Sequence, residues 1–183
     1  MHRLPAAAAG LAALAIVAAA CTSGASSPGA AAPSADAAAA WRTTPLTDVR
    51  TGETLTIDSL AGKLVAIEPM AIWCSNCRIQ QTEAAAAIAA TASEKLVYVG
   101  LDVDPNEQAA SLATYSDEQG FDWPFAVASV EVSRSLAAEF GDQVLSPPST
   151  PLILIGPDGT VIEHHFGIRN AGDLEALFKQ YLP

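Results

Sequence analysis

The chain has 183 residues, a formal net charge of −11 and three cysteines, and half of its residues are hydrophobic. This excess of carboxylates argues against nucleic acid, whose phosphates are bound through lysine and arginine. It also disfavours electrostatic docking on anionic lipid headgroups. The length accommodates one ordinary domain with extensions.

Residues 1–20 have the composition of a secretory signal peptide. A short cationic start is followed by an apolar stretch, residues 11–17, that is too short to span a membrane. The small residues that precede Cys21 resemble the lipobox of bacterial lipoproteins, although Ala18 stands where leucine or valine is usual. This resemblance implies that Cys21 is lipidated. The alternative is a conventional cleavage that leaves an unmodified thiol on a secreted protein.

Residues 21–40 begin with Cys21 and continue mainly as alanine, serine, proline and glycine. Such a segment buries too little surface to offset its ordering entropy, so we expect a flexible tether with a root-mean-square reach of about 25 Å. Removal of residues 1–20 takes away Arg3 and leaves 8 lysines and arginines against 20 aspartates and glutamates. We therefore expect an exported, acidic domain, residues 41–183, anchored to the extracytoplasmic side of the cell membrane.

From Trp41 onward the hydrophobic pattern predicts strands that alternate with helices. The predicted strands are two short ones in residues 46–57 about a turn at Thr51-Gly52, then 64–67, 96–103, 125–128, 152–155 and 160–166. The predicted helices are 77–93, 106–119, 130–140 and 171–182. This order predicts an α/β fold with a central mixed β-sheet flanked by helices and an N-terminal β-hairpin.

Cys74 and Cys77 stand two residues apart at the junction of a predicted strand and a predicted helix. Such a pair can exchange one disulfide for two thiols. At the first turn of a helix, unpaired backbone N–H groups and the helix dipole favour a thiolate on the first cysteine. Since only the thiolate attacks a disulfide, Cys74 is the candidate nucleophile and Cys77 the resolving thiol.

Four features together resemble the thioredoxin superfamily, and within it the extracytoplasmic TlpA/ResA-like thiol-disulfide oxidoreductases. They are Trp73 before the cysteine pair, Glu68 six positions before Cys74, Thr150-Pro151 before a late strand, and a Gly-x-Asp-Gly hairpin. The resemblance covers residues 42–183. It implies a thioredoxin-like fold and a redox-active Cys74–Cys77 disulfide with no bound cofactor.

The resemblance also implies a role for each matching residue. Cys74 is expected to be exposed, Cys77 buried, and Trp73 to cover the sulfurs. A cis Thr150–Pro151 bond is expected to present the Thr150 backbone to substrate, a geometry that proline makes inexpensive. Glu68 is expected to be buried with a raised pKa and to shuttle the proton of Cys77.

The implied partners are extracytoplasmic protein thiols and disulfides and a membrane electron donor, with reduction favoured over oxidation. The sequence departs from many family members because neither Ser75-Asn76 nor Gln80-Gln81-Thr82 contains a proline, and Pro69 and Met70 replace aromatic residues. Since the dipeptide between the cysteines tunes the redox potential, the reducing strength is not carried over.

Alternative functions remain open at this point. The main one is a Sco-like copper chaperone, because two thiolates can hold Cu(I), and a purely structural disulfide is another, although so short a loop gains little chain entropy. His164 and His165 are adjacent on a strand and should face opposite sides of the sheet, which disfavours a paired metal site. The Pro-x-x-x-Thr-x-x-Cys pattern of peroxiredoxins is absent.

Overall fold

The computed structural model describes residues 40–183, so the predicted signal peptide, Cys21 and the tether before Ala40 lie outside the described residues. A short helix, α1 (Ala40–Thr43), precedes an antiparallel hairpin of β1 (Leu46–Thr47) and β2 (Thr54–Leu55). The reversal uses Gly52 at φ 75°, a conformation that glycine adopts without a Cβ clash. The predicted N-terminal hairpin is thereby confirmed.

The central sheet has five strands in the order β5-β4-β3-β6-β7. The strands are β3 (Leu64–Met70), β4 (Leu96–Asp102), β5 (Phe125–Val127), β6 (Leu152–Ile155) and β7 (Val161–His165). The first three are parallel to one another, and β6 and β7 are added antiparallel. All seven residues of β3 are buried because helices cover both faces of the sheet.

Four longer helices cover the sheet. They are α2 (Ser75–Thr91), α3 (Ala109–Gln119), α4 (Val130–Phe140) and α5 (Ala171–Tyr181). The chain passes from β3 through α2 to β4 and then through α3 to β5, and because both crossovers are right-handed and move the same way across the sheet, α2 and α3 cover the same face. The connection from β5 back to β6 runs the opposite way and places α4 on the other face. The predicted α/β fold with a central mixed sheet is confirmed.

The alternation of side chains along β3 divides the core into two layers. Leu64, Ala66 and Met70 pack with both cysteines and with residues of α2, α3 and α5. Val65 and Ile67 pack on the opposite face, with α4 and with Trp41. Glu68 shares the even-numbered face, so it points into the layer that contains the cysteines.

The chain enters the described region beside the start of β3. Trp41 is 1% exposed, and Arg42 donates a hydrogen bond to the Gly159 carbonyl at 2.8 Å, in the turn between β6 and β7. The same turn accepts the Gly62 N–H just before β3, through the Pro157 carbonyl. Among residues 40–183, none of the helices combines the length and apolarity needed to cross a bilayer.

Candidate active site

The carboxyl end of β3 leads directly into the cysteine pair. Cys74 and Cys77 form a disulfide with their Cα atoms 5.3 Å apart. Cys74 is the N-cap of α2 and has an extended backbone, and its Sγ accepts the Cys77 N–H at 3.1 Å. A sulfur in this position receives an unpaired N–H and the positive end of a 17-residue helix dipole, which favours its thiolate.

The two cysteines differ in access. Cys77 has no exposed surface, as predicted, and Cys74 is only 3% exposed. The expectation that Cys74 is exposed is therefore wrong. Its sulfur lies in a surface depression that is also lined by Trp73, Ser75, Asn76 and Pro148. Cys74 is nevertheless the cysteine that borders this depression.

The loop before β6 lies against the disulfide. The Cys77 Sγ is 3.3 Å from the Pro147 carbonyl oxygen, and the Asn76 side-chain amide donates to the Pro148 carbonyl at 3.0 Å. The carbonyl groups of Pro147 and Pro148 thus fix the position of this loop relative to the first turn of α2.

Trp73 is 58% exposed and stands at the rim of the depression that contains Cys74. Its indole Nε1 donates to Asp104 Oδ2 at 2.6 Å, and Asp104 belongs to the acidic loop after β4. The pKa of Asp104 is lowered, first by the Asn106 N–H and then by the Trp73 indole, since both stabilise the charged carboxylate. This bond holds the indole at the rim of the depression that contains Cys74, and the expected role of Trp73 as a cover over the sulfurs stays a prediction.

The neighbouring Ile72 N–H is bound by both carboxylate oxygens of Glu107, at 2.9 and 3.1 Å. Glu107 in turn interacts with the buried carboxyl of Asp102. Burial and then the hydrogen bond to Glu107 raise the pKa of Asp102 to about 8. Carboxyl groups of one loop thus hold the two residues that precede the nucleophile.

Glu68 is fully buried on β3, as the sequence predicted. Burial raises its pKa to about 8, although the Tyr98 hydroxyl and the nearby Gln81 amide lower it. The Tyr98 hydroxyl donates to Glu68 Oε2 at 2.7 Å. Opposite Glu68 on β4 stands Gly100, where an added Cβ would lie 2.3 Å from the Phe125 ring. The Phe125 ring therefore occupies the space over Gly100, beside the strand position of Glu68.

The Thr150–Pro151 peptide differs from its prediction. No peptide bond between residues 40 and 183 is cis, so the expected cis bond is a trans bond. The chain reverses instead through Thr150, which adopts the left-handed conformation at φ 52° and ψ 61° after a 3₁₀ turn over residues 147–149. Thr150 is buried, and its N–H is bound to the Pro147 carbonyl at 2.8 Å.

The two histidines of β7 lie on opposite faces of the sheet, as expected. His165 pairs with Leu152 of one core layer and His164 with Ile153 of the other. His164 packs against the rings of Phe140 and Phe166, and the pKa of His165 is lowered, mainly by burial. No group of three potential metal-ligating side chains was found within residues 40–183.

Several side chains at the site were not assigned a role from the sequence. The residues missed in this way are Tyr98, Asp104, Glu107, Tyr115 and Gln81. The Asp-rich loop after Val103 and the proline-free Gln80-Gln81-Thr82 were visible signals, but their contacts depend on how three separate segments pack. Glu68, Trp73, Cys74 and Cys77 do come together at the carboxyl end of β3, next to the loop that contains Thr150 and Pro151.

Comparison with solved structures places this geometry in a known fold. A thioredoxin-family thiol:disulfide interchange protein from Chlorobium tepidum aligns with a TM-score of 0.64 and 24% identity, over 76% of this chain and 92% of that one. A secreted Mycobacterium tuberculosis disulfide oxidoreductase homologous to DsbE aligns with a TM-score of 0.59 and 14% identity, over 74% and 94%. BsSco, of the Sco family of cytochrome c oxidase assembly proteins, aligns with a TM-score of 0.59 and 17% identity, over 75% and 90%.

No protein-family model matches the sequence, and no curated protein matches it either. The similarity to solved structures, at these identities, establishes the fold. The described domain has a thioredoxin-like fold with a disulfide at the N-terminus of α2.

Proposed function

We propose that the protein is an extracytoplasmic thiol-disulfide oxidoreductase that acts on protein disulfides through a Cys74-linked mixed disulfide resolved by Cys77. One observation carries this proposal: Cys74 Sγ caps α2 and accepts the Cys77 N–H, whereas Cys77 is fully buried. The two sulfurs thus have unequal environments, one suited to a thiolate and the other to a protonated thiol.

The reaction needs no bound cofactor. In the reduced protein, the Cys74 thiolate attacks a client disulfide, a new S–S bond forms, and the electron pair of the broken bond leaves on the first client sulfur. Cys77 then loses its proton and attacks Cys74 Sγ. This step closes the intramolecular disulfide and releases the second client sulfur. Two electrons pass from the cysteine pair to the client.

The surroundings of Cys77 support a proton acceptor for the second step. In the reduced state the Cys77 thiol can donate to the Pro147 carbonyl, whose oxygen lies 3.3 Å from the sulfur, and this contact favours the thiol over the thiolate. A base must therefore take the proton during resolution. Glu68 is a fully buried carboxyl that faces the same core layer as Cys77, and we assign it this role.

Trp73, Thr150 and Pro151 are assigned to substrate binding. Trp73 and Pro148 border the depression over Cys74, so a client segment that reaches the sulfur must lie against the indole. Thr150 and Pro151 belong to the loop whose carbonyl groups contact Cys77 and Asn76. Replacing Trp73 with alanine should raise KM more than it lowers kcat.

Export and lipid anchoring through Cys21 complete the proposal, together with a membrane electron donor that keeps the pair reduced. The support is the signal-like composition of residues 1–20 and the small residues before Cys21. The test is the fate of the Cys21→Ser variant. We expect the wild-type protein to fractionate with membranes after export, and loss of membrane association in the variant would confirm the anchor.

A redox titration of the purified protein, followed by thiol alkylation and mass spectrometry, tests the function and its direction. A two-electron couple near roughly −270 mV supports a reductase. A value nearer roughly −120 mV would make the protein an oxidant of secreted thiols. A cysteine pair that stays oxidised throughout the titration would show that the disulfide is structural.

A second candidate, a Sco-like copper chaperone, is retained because of the structural similarity to BsSco. The two thiolates would supply soft ligands for Cu(I). Anaerobic titration with Cu(I) separates the candidates: stoichiometric binding that needs both cysteines and a histidine favours the chaperone. If alanine at His164 and at His165 leaves copper binding unaltered, these histidines have no part in it.

A further inference from the structure

Helix α2 buries a polar side chain that the proposed reaction does not use. Gln81 has no exposed surface and lies four residues after Cys77, so the two side chains are neighbours on one face of the helix. Its neighbour Gln80 is also buried but has a structural explanation, because it accepts the Arg169 N–H at 2.7 Å and ties the loop before α5 to α2. Gln81 makes no such contact with a loop.

The Gln81 amide is held from one side by Tyr115 of α3. The Tyr115 hydroxyl donates to Gln81 Oε1 at 2.6 Å. Burial raises the pKa of Tyr115, so the hydroxyl keeps its proton and remains a donor. With Oε1 occupied in this way, the Nε2 group is directed away from Tyr115.

Two complementary polar atoms remain buried without a hydrogen bond of ordinary geometry. They are Gln81 Nε2, a donor, and Glu68 Oε1, an acceptor. The Gln81 amide is close enough to lower the pKa of the Glu68 carboxyl. The reverse orientation of the amide would bring its oxygen toward the carboxyl oxygen and leave the Tyr115 hydroxyl facing an N–H group. The observed orientation is therefore the favourable one.

We propose that the Tyr115 hydroxyl fixes the Gln81 amide with its N–H group toward Glu68, so that Gln81 is a positioning residue for the carboxyl that accepts the Cys77 proton. This inference rests on the proposed thiol-disulfide exchange. Glu68 can accept a proton only when it is ionised. Burial disfavours that form, and the donors on Tyr98 and Gln81 restore part of it.

Titratable groups face this pair from the neighbouring strand and helix. Tyr98 approaches Glu68 from β4, and Tyr115 approaches Gln81 from α3. Asp102 of β4, paired with Met70, is buried on the same face of the sheet. Arg78 on α2 and Glu107 in the acidic loop act on Tyr115 at longer range and with opposite sign. The cysteine pair faces the same core layer and carries no charge while it is oxidised.

The test is the titration of Glu68 itself, measured in the oxidised full-length protein by carboxyl carbon NMR of glutamate-labelled samples. In Gln81→Met, which keeps the length of the side chain and removes the N–H donor, we expect the midpoint to rise by about one pH unit. The ionised fraction near neutral pH should then fall about tenfold. Tyr115→Phe removes a single oxygen, frees the amide to rotate and should raise the midpoint less. Gln80→Met is the matched control and should leave the midpoint unchanged.

A second readout links this positioning to the reaction. The pH profile of mixed-disulfide resolution should move to higher pH in Gln81→Met by the same amount as the Glu68 midpoint. An unchanged midpoint in folded Gln81→Met and Tyr115→Phe overturns the inference, as does a resolution profile that ignores a shifted midpoint. If Glu68 shifts as expected but the wild-type protein exchanges no disulfides, the proposed function fails and the orientation of Gln81 toward Glu68 stands.

Discussion

The indole of Trp73 and the carboxylate of Asp104 are joined by a 2.6 Å hydrogen bond across 31 residues of sequence. This bond connects the residue before the nucleophile to the acidic loop that follows β4. Because the indole is 58% exposed, little else restrains it, and its position at the rim of the depression that contains Cys74 depends on this one carboxylate.

Replacing Asp104 with alanine should release the indole without unfolding the domain. Acrylamide quenching reports mainly Trp73, because Trp41 and Trp123 are only 1% and 8% exposed. We expect stronger quenching, lower anisotropy and a fall of up to about tenfold in kcat/KM, equivalent to one net hydrogen bond. Asp122→Ala, in an exposed position between α3 and β5, should change none of these. Unaltered quenching in Asp104→Ala would show that the indole is positioned by other contacts.

The two cysteines should behave differently when one is removed. Cys77→Ser leaves the N-cap sulfur without its resolving partner, so covalent complexes between Cys74 and client proteins should accumulate. Cys74→Ser should form none, because the buried Cys77 cannot reach a client. Non-reducing gels followed by mass spectrometry measure both. Equal trapping by the two variants would contradict the assignment of nucleophile and resolver.

Replacing Glu68 with glutamine should slow resolution of the mixed disulfide and alter the pH dependence of stability. Burial raises its pKa in the folded protein to about 8, from the ordinary 4.5 of an exposed glutamate, so between these values the folded chain binds a proton that the unfolded chain has lost. Stability therefore decreases as pH rises through that window, with a limiting slope of about 1.4 kcal/mol per pH unit for one group.

The Glu68→Gln variant removes the contribution of this group but keeps that of Asp102, whose pKa is also raised. We expect a shallower loss of stability between pH 5 and pH 8, measured by denaturant unfolding. The release rate of a Cys74-linked mixed disulfide should fall in the same variant. If the release kinetics are unchanged, Glu68 is not the proton acceptor.

Ionisation of the buried Asp102 carboxyl should be visible at the Ile72 amide, which Glu107 binds. The Glu107 carboxylate accepts the Ile72 N–H, and ionisation of the buried Asp102 near pH 8 adds a like charge next to it. We expect the Ile72 amide proton to shift in NMR spectra with a midpoint near pH 8. Asp102→Asn should abolish this titration, and its persistence in that variant would assign it to another group.

Gly100 should tolerate no side chain. A Cβ at this position would lie 2.3 Å from the Phe125 ring, so Gly100→Ala must displace an aromatic residue in the core and should cost roughly 1–3 kcal/mol of unfolding free energy. Gly172→Ala is the control, because an added Cβ would lie 3.4 Å from Asn170 Oδ1 and alanine favours the helix. Equal stability of the two variants would show that Phe125 repacks freely.

The sequence predicted the elements well where local signals were strong. Helix α4 begins and ends at the predicted residues, with Gly141 directly after it, and Gly120 follows α3 as expected. The end of α2 carried no such signal, because Ala92 takes the left-handed conformation that glycine usually supplies.

Strand β3 extends to Met70, three residues beyond the prediction, in spite of Pro69. Its pairing with β6 ends at Ile67, whereas its pairing with β4 continues to Met70. Pro69 therefore lies where the strand has a partner on one side only, a position that proline tolerates.

At the candidate site, the chemistry-bearing residues could be proposed from the sequence, and the contacts that tune them could not. Cys74 and Cys77 followed from their spacing, and Glu68 from the resemblance to the thioredoxin superfamily. The hydrogen bond between Gln81 and Tyr115 joins residues 34 positions apart, and no local pattern encodes it. The trans Thr150–Pro151 bond was missed because the left-handed backbone of a threonine is rare and has no sequence signature.

The hydrogen bond from Arg42 to the turn between β6 and β7 attaches the first described residues to one end of the central sheet. That turn lies beside the start of β3, whereas the disulfide follows its carboxyl end, about 20 Å away along the strand. A segment that joins the domain at Ala40 therefore enters it at the end of β3 remote from the cysteines, and Arg42 attaches that entry point to the turn.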